Sequence, residues 1–162
     1  EKMAQPPYHA VKRDDIESVP LDGAVLRLLA GRYVDENGKS HQGFVGSHLP
    51  LDYYELTVEA GHSVEIPVDE DLSVLAFTLE GPALIGGLPL GEKTAVKLVE
   101  GDCVGITATD EKPSVVLLMS SVALREPIAW GGPIVMNSTA ELRQAFRDLD
   151  EGTFIREDVR SL

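Results

Sequence analysis

The sequence has 162 residues, 43% of them hydrophobic and 25% charged, which fits one globular domain with enough apolar material for a core. Its 27 acidic residues against 14 basic ones give a formal net charge of -13, so it lacks the Lys/Arg surplus that binds phosphates or anionic membranes. No run approaches the roughly 20 apolar residues of a membrane helix, and no signal peptide opens the chain. The lone cysteine, Cys103, excludes an intrachain disulfide and fits a reducing compartment. It sits in an apolar run and is expected to be a buried, inert thiol.

The chain begins at Glu1 rather than Met, and residues 1–7 are polar and proline-bearing, as in an arm or linker. Residues 24–29 form a short apolar run between Gly23 and Gly31 and predict a strand. Residues 31–50, rich in Gly, Ser, Asn and His, predict a loop region. Tyr54, Leu56 and Val58 then alternate with Glu55 and Thr57, the period of a strand with one buried face. A turn at 59–61 leads to strands over 63–67 and 72–79, with Gly81 as a break. Further strands are predicted over 83–85, 94–98, 103–108 and 114–120, with Gly86, Gly87, Gly91 and Gly101 in the turns. Short strands at 8–12 residue spacing indicate a sandwich or barrel. One helix follows. Ser138 and Glu141 make a capping box, Leu142, Ala145, Phe146 and Leu149 form an apolar stripe, and Gly152 stands at the C-terminal cap.

The stretch Gly131-Gly132-Pro133-Ile134-Val135-Met136-Asn137-Ser138, with Glu141, Ala145, Phe146, Arg147 and Asp148 after it and Arg125-Glu126-Pro127-Ile128 before it, resembles the C-terminal signature of the pirin family. Lys2-Met3, Pro7-Tyr8 and the segment from Gly23 to Gly31 resemble the part of a pirin that leaves the first domain for the second. The resemblance implies an all-β, cupin-type double-stranded β-helix or jelly-roll barrel with one C-terminal α-helix. Pirins are bicupins, with an iron-type metal site in the first barrel and a second barrel that is generally metal-free. Residues 1–22 are therefore expected to be an arm from an N-terminal cupin, 23–137 the C-terminal pirin-like barrel, and 138–162 the amphipathic helix and tail.

The first cupin motif has a glycine, five residues, His-x-His, three or four residues, Glu, six residues and a second glycine. Gly61 and Gly81 supply its glycine frame. The ligand positions then fall on Pro67, Asp69 and Val74, and the histidine position of the second motif, counted from Gly101, falls on Lys112. Mononuclear iron of this kind takes imidazole and carboxylate donors. Pro67 and Val74 cannot ligate through their side chains, a cationic Lys112 is a poor donor, and Asp69 alone holds no metal tightly. No catalytic, cofactor or metal residue is therefore expected in this chain, and iron or another divalent metal is expected only in the N-terminal cupin.

His9 lies in the arm and His62 on the turn after Gly61. His41 and His48 are seven residues apart in the 31–50 loop and would pair on a metal only through a special loop fold, so a surface or locally hydrogen-bonded histidine is expected at each. Glu65, Asp69, Glu70 and Asp71 form an acidic cluster that reads as a solvated loop. No GxSxG elbow, Walker glycine loop, CxxC or HExxH is present. The expected role is structural and interactive, supporting a metal-bearing barrel. Two alternatives stand beside it: part of a quercetin 2,3-dioxygenase-like oxygenase whose catalytic site lies in the N-terminal half, and a protein-binding coregulator. The expected partners are the N-terminal half, a second copy in a homodimer, or a regulatory protein, with no nucleic acid and no membrane. The expected location is the cytoplasm, or also the nucleus in a eukaryote.

Overall fold

A computed structural model describes residues 10–155 of the chain. The calls on residues 1–7, Tyr8 and His9, and on the last seven residues of the tail, lie outside the described residues. The larger sheet holds β1 (Glu17–Leu21), β2 (Ala24–Ala30), β5 (Leu51–Val58), β7 (Leu72–Glu80), β10 (Ala95–Leu98) and β12 (Ser114–Val122), hydrogen-bonded in the order β1-β2-β5-β12-β7-β10. The smaller sheet holds β6 (Ser63–Pro67), β8 (Ala83–Ile85), β9 (Leu88–Leu90) and β11 (Cys103–Ala108), in the order β6-β11-β8-β9. A separate hairpin joins β3 (Arg32–Val34) to β4 (Ser40–Gln42). All these strand pairs are antiparallel.

The period-two sequence pattern becomes a two-faced wall. Along β12, buried and half-buried positions alternate from Ser114 to Ser121. The inward faces of both sheets meet in one aliphatic core, in which Leu26, Leu56, Val58, Ile66, Ile85, Ile106 and Val116 have no exposure. Each such side chain contributes roughly 1.5–3 kcal/mol by leaving water. The polar groups among them are satisfied locally. Thr78 donates to the Gly91 carbonyl and Ser114 to the Pro82 carbonyl. No buried side-chain nitrogen or oxygen among the described residues lacks a partner.

The frame glycine Gly81 has φ +68, and a Cβ there would lie 2.6 Å from the Pro113 carbonyl oxygen. Backbone strain and a backbone clash coincide. Gly81→Ala is expected to lower the unfolding free energy by about 2 kcal/mol, seen as a lower urea midpoint at unchanged slope.

The chain divides into two units, the first ending at Ala123 and the second starting at Leu124. Within the second, β13 (Ala129–Gly131) and β14 (Ile134–Met136) form a hairpin against which helix α1 (Thr139–Asp150) packs. The Ser138–Glu141 capping box is formed in both directions. A Cβ on Gly131 would come within 3.0 Å of the Phe146 ring and 3.2 Å of Leu142, so the helix lies directly on the glycine.

Three stretches take a form that the sequence reading did not give them. Residues 17–21, placed in the arm, pair with β2 over their whole length, and Val19 is buried. Pro20 discourages a strand reading, yet an edge strand tolerates it. Residues 129–136 form the hairpin against which the helix packs. The 31–50 loop also contains the β3–β4 hairpin, whose three-residue strands are too short to carry a periodic signal.

Candidate functional site

The four positions that the cupin frame reserves for metal ligands do not converge. Pro67 ends β6 and is exposed, opposite Cys103 on β11. Asp69 sits in the turn that follows. Its Oδ1 accepts the Asp71 amide at 3.0 Å, and its carbonyl accepts the Leu72 amide at 3.0 Å. Val74 alone faces inward, at 5% exposure. Lys112 is exposed beyond β11, with its Nζ 4.0 Å from Glu92 Oε2.

The space at this end of the barrel is a cleft of about 170 Å³. Val68, Leu72, Val74, Leu98 and Val104 line it, together with Glu70, Glu100 and Cys103. The inward ligand position, Val74, is aliphatic, and the carboxylates that line the cleft, Glu70 and Glu100, are exposed and joined by no histidine, whereas iron of this kind takes imidazole and carboxylate donors together. Among the described residues, no three His, Cys, Asp or Glu side chains are placed to hold a metal ion. The residues present therefore do not fit the iron of the cupin motif. Glu65, Asp69, Glu70 and Asp71 are all exposed, in keeping with a solvated cluster.

Cys103 departs from its expected burial: it is exposed. Val104 and Ile106 take the inward positions of β11, so strand parity turns Cys103 outward. Desolvation, then the carboxylates of Glu65 and Asp102, push its thiol above the usual range, which leaves little thiolate at neutral pH.

The histidines behave differently from one another. His48 is exposed in a bend. His62 donates from Nδ1 to the Ala60 carbonyl at 3.1 Å, in the turn where the sequence placed it. His41 is 6% exposed. Its Nδ1 lies 2.7 Å from Glu17 Oε1 and its Nε2 lies 3.1 Å from Asp35 Oδ2. Both ring nitrogens are thus committed to carboxylates on opposite edges of the ring, and neither is left for a metal shared with His48. The hydrogen bonds from Glu17 and Asp35 raise the His41 pKa, and the His41 hydrogen bond lowers that of each carboxylate.

This cluster was not visible in the sequence, because Glu17 is 24 residues from His41. The only local signal was the turn Asp35-Glu36-Asn37-Gly38, which Asp35 closes by accepting the amides of Asn37 and Lys39. Beside it opens a second cleft, of about 370 Å³, lined by Pro20, Leu21, Asp22, Tyr33, Asp35, Glu36, Asn37, Ser63, Val64 and Glu65. Tyr33 and Tyr54 pack edge to face behind the hairpin, with ring centroids 6.1 Å apart. The Tyr54 hydroxyl donates to the Arg32 carbonyl, and burial pushes its pKa far up.

The signature residues of the second unit do structural work. Asn137 Nδ2 donates to Glu126 Oε2 at 2.7 Å and to the Pro127 carbonyl at 3.2 Å, tying the segment before the hairpin to the residue after it. Trp130 Nε1 donates to the Gly132 carbonyl across the hairpin turn.

Comparison with known families matches residues 53–155 to the model described as the pirin C-terminal cupin domain. Human pirin is 30% identical over 153 residues, which cover 91% of this chain and 51% of that protein. A protein of Thermoplasma acidophilum, provisionally named a quercetin 2,3-dioxygenase, is 30% identical over 159 residues, or 96% of this chain and 60% of its own length. Among solved structures, a quercetin 2,3-dioxygenase from Acinetobacter baumannii superposes with a TM-score of 0.83 at 31% identity, over 94% of this chain and 52% of that one. The chain thus spans between half and about three-fifths of the length of these relatives.

Proposed function

Since the chain belongs to the pirin family through its C-terminal cupin domain, we propose that this domain is a metal-free barrel with a structural and interaction role beside a metal-binding first cupin. The observation that carries this reading is the chemistry of the ligand positions. The inward one is Val74, and the other three, Pro67, Asp69 and Lys112, lie exposed. A barrel filled by aliphatic side chains contributes stiffness and surface rather than coordination.

Its surface supports the same reading. On the outward side of the larger sheet, Leu75, Met119 and Tyr53 stand in one cross-strand row, and Phe77 and Leu117 continue into the Arg27–Glu55 ion pair in the next. Leu75 is 44% exposed and the other apolar members are half-buried. An apolar row bordered by an ion pair has the make-up of a contact surface. In this proposal it packs against the first barrel, or against a second copy when that barrel is absent. The excess of carboxylates favours a basic protein surface over nucleic acid for any regulatory partner. No helix among the described residues is long and apolar enough to cross a membrane, and the proposed location is the cytoplasm.

The oxygenase chemistry in the names of some relatives belongs, in this reading, to the part of those proteins outside the match. Elemental analysis of the purified chain, before and after dialysis against a chelator, tests the proposal. Metal near zero per chain in both samples, with no oxygen uptake on quercetin, is the expected outcome. Close to one iron, zinc or nickel per chain would overturn it and make Asp69, His41, His48 and His62 the first positions to replace.

A further inference from the structure

A neutral imidazole carries one N–H, an imidazolium two, and an ionised carboxylate only accepts. His41 faces a carboxylate oxygen from each nitrogen, Glu17 at 2.7 Å and Asp35 at 3.1 Å. Both contacts are hydrogen bonds only while the ring holds two protons. With one proton gone, a lone pair faces a carboxylate.

We infer that His41 is a proton-operated latch that ties edge strand β1 to the β3–β4 hairpin and releases Glu17 when the ring loses a proton. The asymmetry follows from how the two carboxylates are held. Asp35 is fixed by the amides of Asn37 at 3.0 Å and Lys39 at 2.9 Å, and its side chain is 17% exposed. Glu17 has one backbone donor, Gln42, and is 40% exposed, so it can turn to water. The remaining proton therefore stays on Nε2, facing Asp35.

Few other charges reach the ring. Lys39, in the same turn, opposes its protonation and favours ionised Glu17. Tyr33 on β3 lies 6.3 Å from it between ring centroids, and burial, with Asp35 and Glu36, raises its phenol, so it stays neutral. Arg27, the charged residue of β2, is committed to Glu55 at 2.8 Å.

The sign of the pH dependence follows. His41 has a raised pKa in the fold, so its contribution is complete below its unfolded value, about 6.5, and is lost as pH rises through the folded value. Glu17 and Asp35 have lowered values, so theirs is complete above the ordinary carboxylate range and is lost as pH falls through the folded values. The latch is whole in mildly acidic to neutral solution and opens on the alkaline side. Pro20 and Leu21 of β1 and Tyr33 and Asp35 of the hairpin also line the acidic cleft of about 370 Å³, so the latch governs whether two of its walls stay together.

Nitrogen-15 NMR of the His41 ring in the full 162-residue chain, read with hydrogen exchange corrected for intrinsic rates, tests this. The expected result is two protonated ring nitrogens in mild acid, a midpoint above the ordinary histidine value, and the Nε2–H tautomer beyond it. Amides of β1 should lose protection about tenfold through the same midpoint while those of β12 keep theirs. Glu17→Gln should bring the midpoint down and leave β1 protection insensitive to pH. A midpoint at or below the ordinary value, an Nδ1–H tautomer, or β1 protection that ignores the midpoint would each overturn the latch, and the wild-type titration decides even if the variant does not fold.

Discussion

Val74→Glu is expected to lower the unfolding free energy by about 3–4 kcal/mol at neutral pH, and by much less in acid. The substitution restores the carboxylate that the cupin frame places at this position, so it asks whether the site could hold a charge. Val74 is 5% exposed and stands in register with Ser120 on one side and Leu98 on the other. Ser120 already donates to Asp52 Oδ2, at 3.5 Å, and the neighbouring walls are Leu72 and Val104. A glutamate there would be ionised without donors. Its pKa would rise above the unfolded value, so the penalty appears as pH climbs past the ordinary carboxylate range and fades below it. Urea unfolding at acidic and at neutral pH, with and without a divalent metal, reads both effects. A variant as stable as the wild type at neutral pH, or one rescued by metal, would mean that this end of the barrel can still be made into a metal site.

Leu56→Ala should cost about 3–4 kcal/mol for a different reason, the cavity it leaves. Leu26, Leu56, Val116 and Thr78 form one inward cross-strand row over β2, β5, β12 and β7, and none of the four has any exposure. Strands hydrogen-bonded on both sides cannot close around a missing isobutyl group. The melting temperature should fall by roughly 10 °C. Leu117→Ala, one position along β12 on the outward face, should cost at least about 1 kcal/mol less than Leu56→Ala in the isolated chain, because that side chain is only partly buried. The contrast between the two variants, measured in one thermal scan series, separates the core from the proposed contact surface.

The strands with long alternating runs were legible from the residues, as was the helix, whose capping box and apolar stripe are local. Gly61 and Gly81 were legible because a turn leaves its mark on the residue that makes it. What was hidden needed partners from elsewhere in the chain. Residues 17–21 are a strand only because β2 offers them an edge, and Pro20 masked the pattern. Cys103 was read by the composition of its run, whereas its exposure is decided by parity within β11. His41 and His48 looked alike in sequence. Only the meeting of Glu17, Asp35 and His41, from three separate elements, sets one of them apart. Which residues occupy the ligand positions of the frame could be counted in advance, since that depends on spacing alone. That three of its positions lie exposed while Val74 points inward could not.

The order of strands in the two sheets has a consequence for how the protein is made. The centre of the larger sheet, β12, lies between β5 and β7, pairing Ser114 with Val58 and Val122 with Leu72. In the smaller sheet β11 likewise separates β6 from β8. On the ribosome, β5, β6, β7 and β8 all emerge before the strands that join them. Until Ala108 has left the exit tunnel β6 has no hydrogen-bonded neighbour, and until Val122 follows it β5 and β7 keep the open edges that β12 will join. Closure must then span loops of tens of residues, which places folding in the slow, non-local class. The protein is at its most vulnerable to mispairing during that interval, and a chaperone or an adjoining domain that shields the β5 and β7 edges would act then, before any finished surface exists to be recognised.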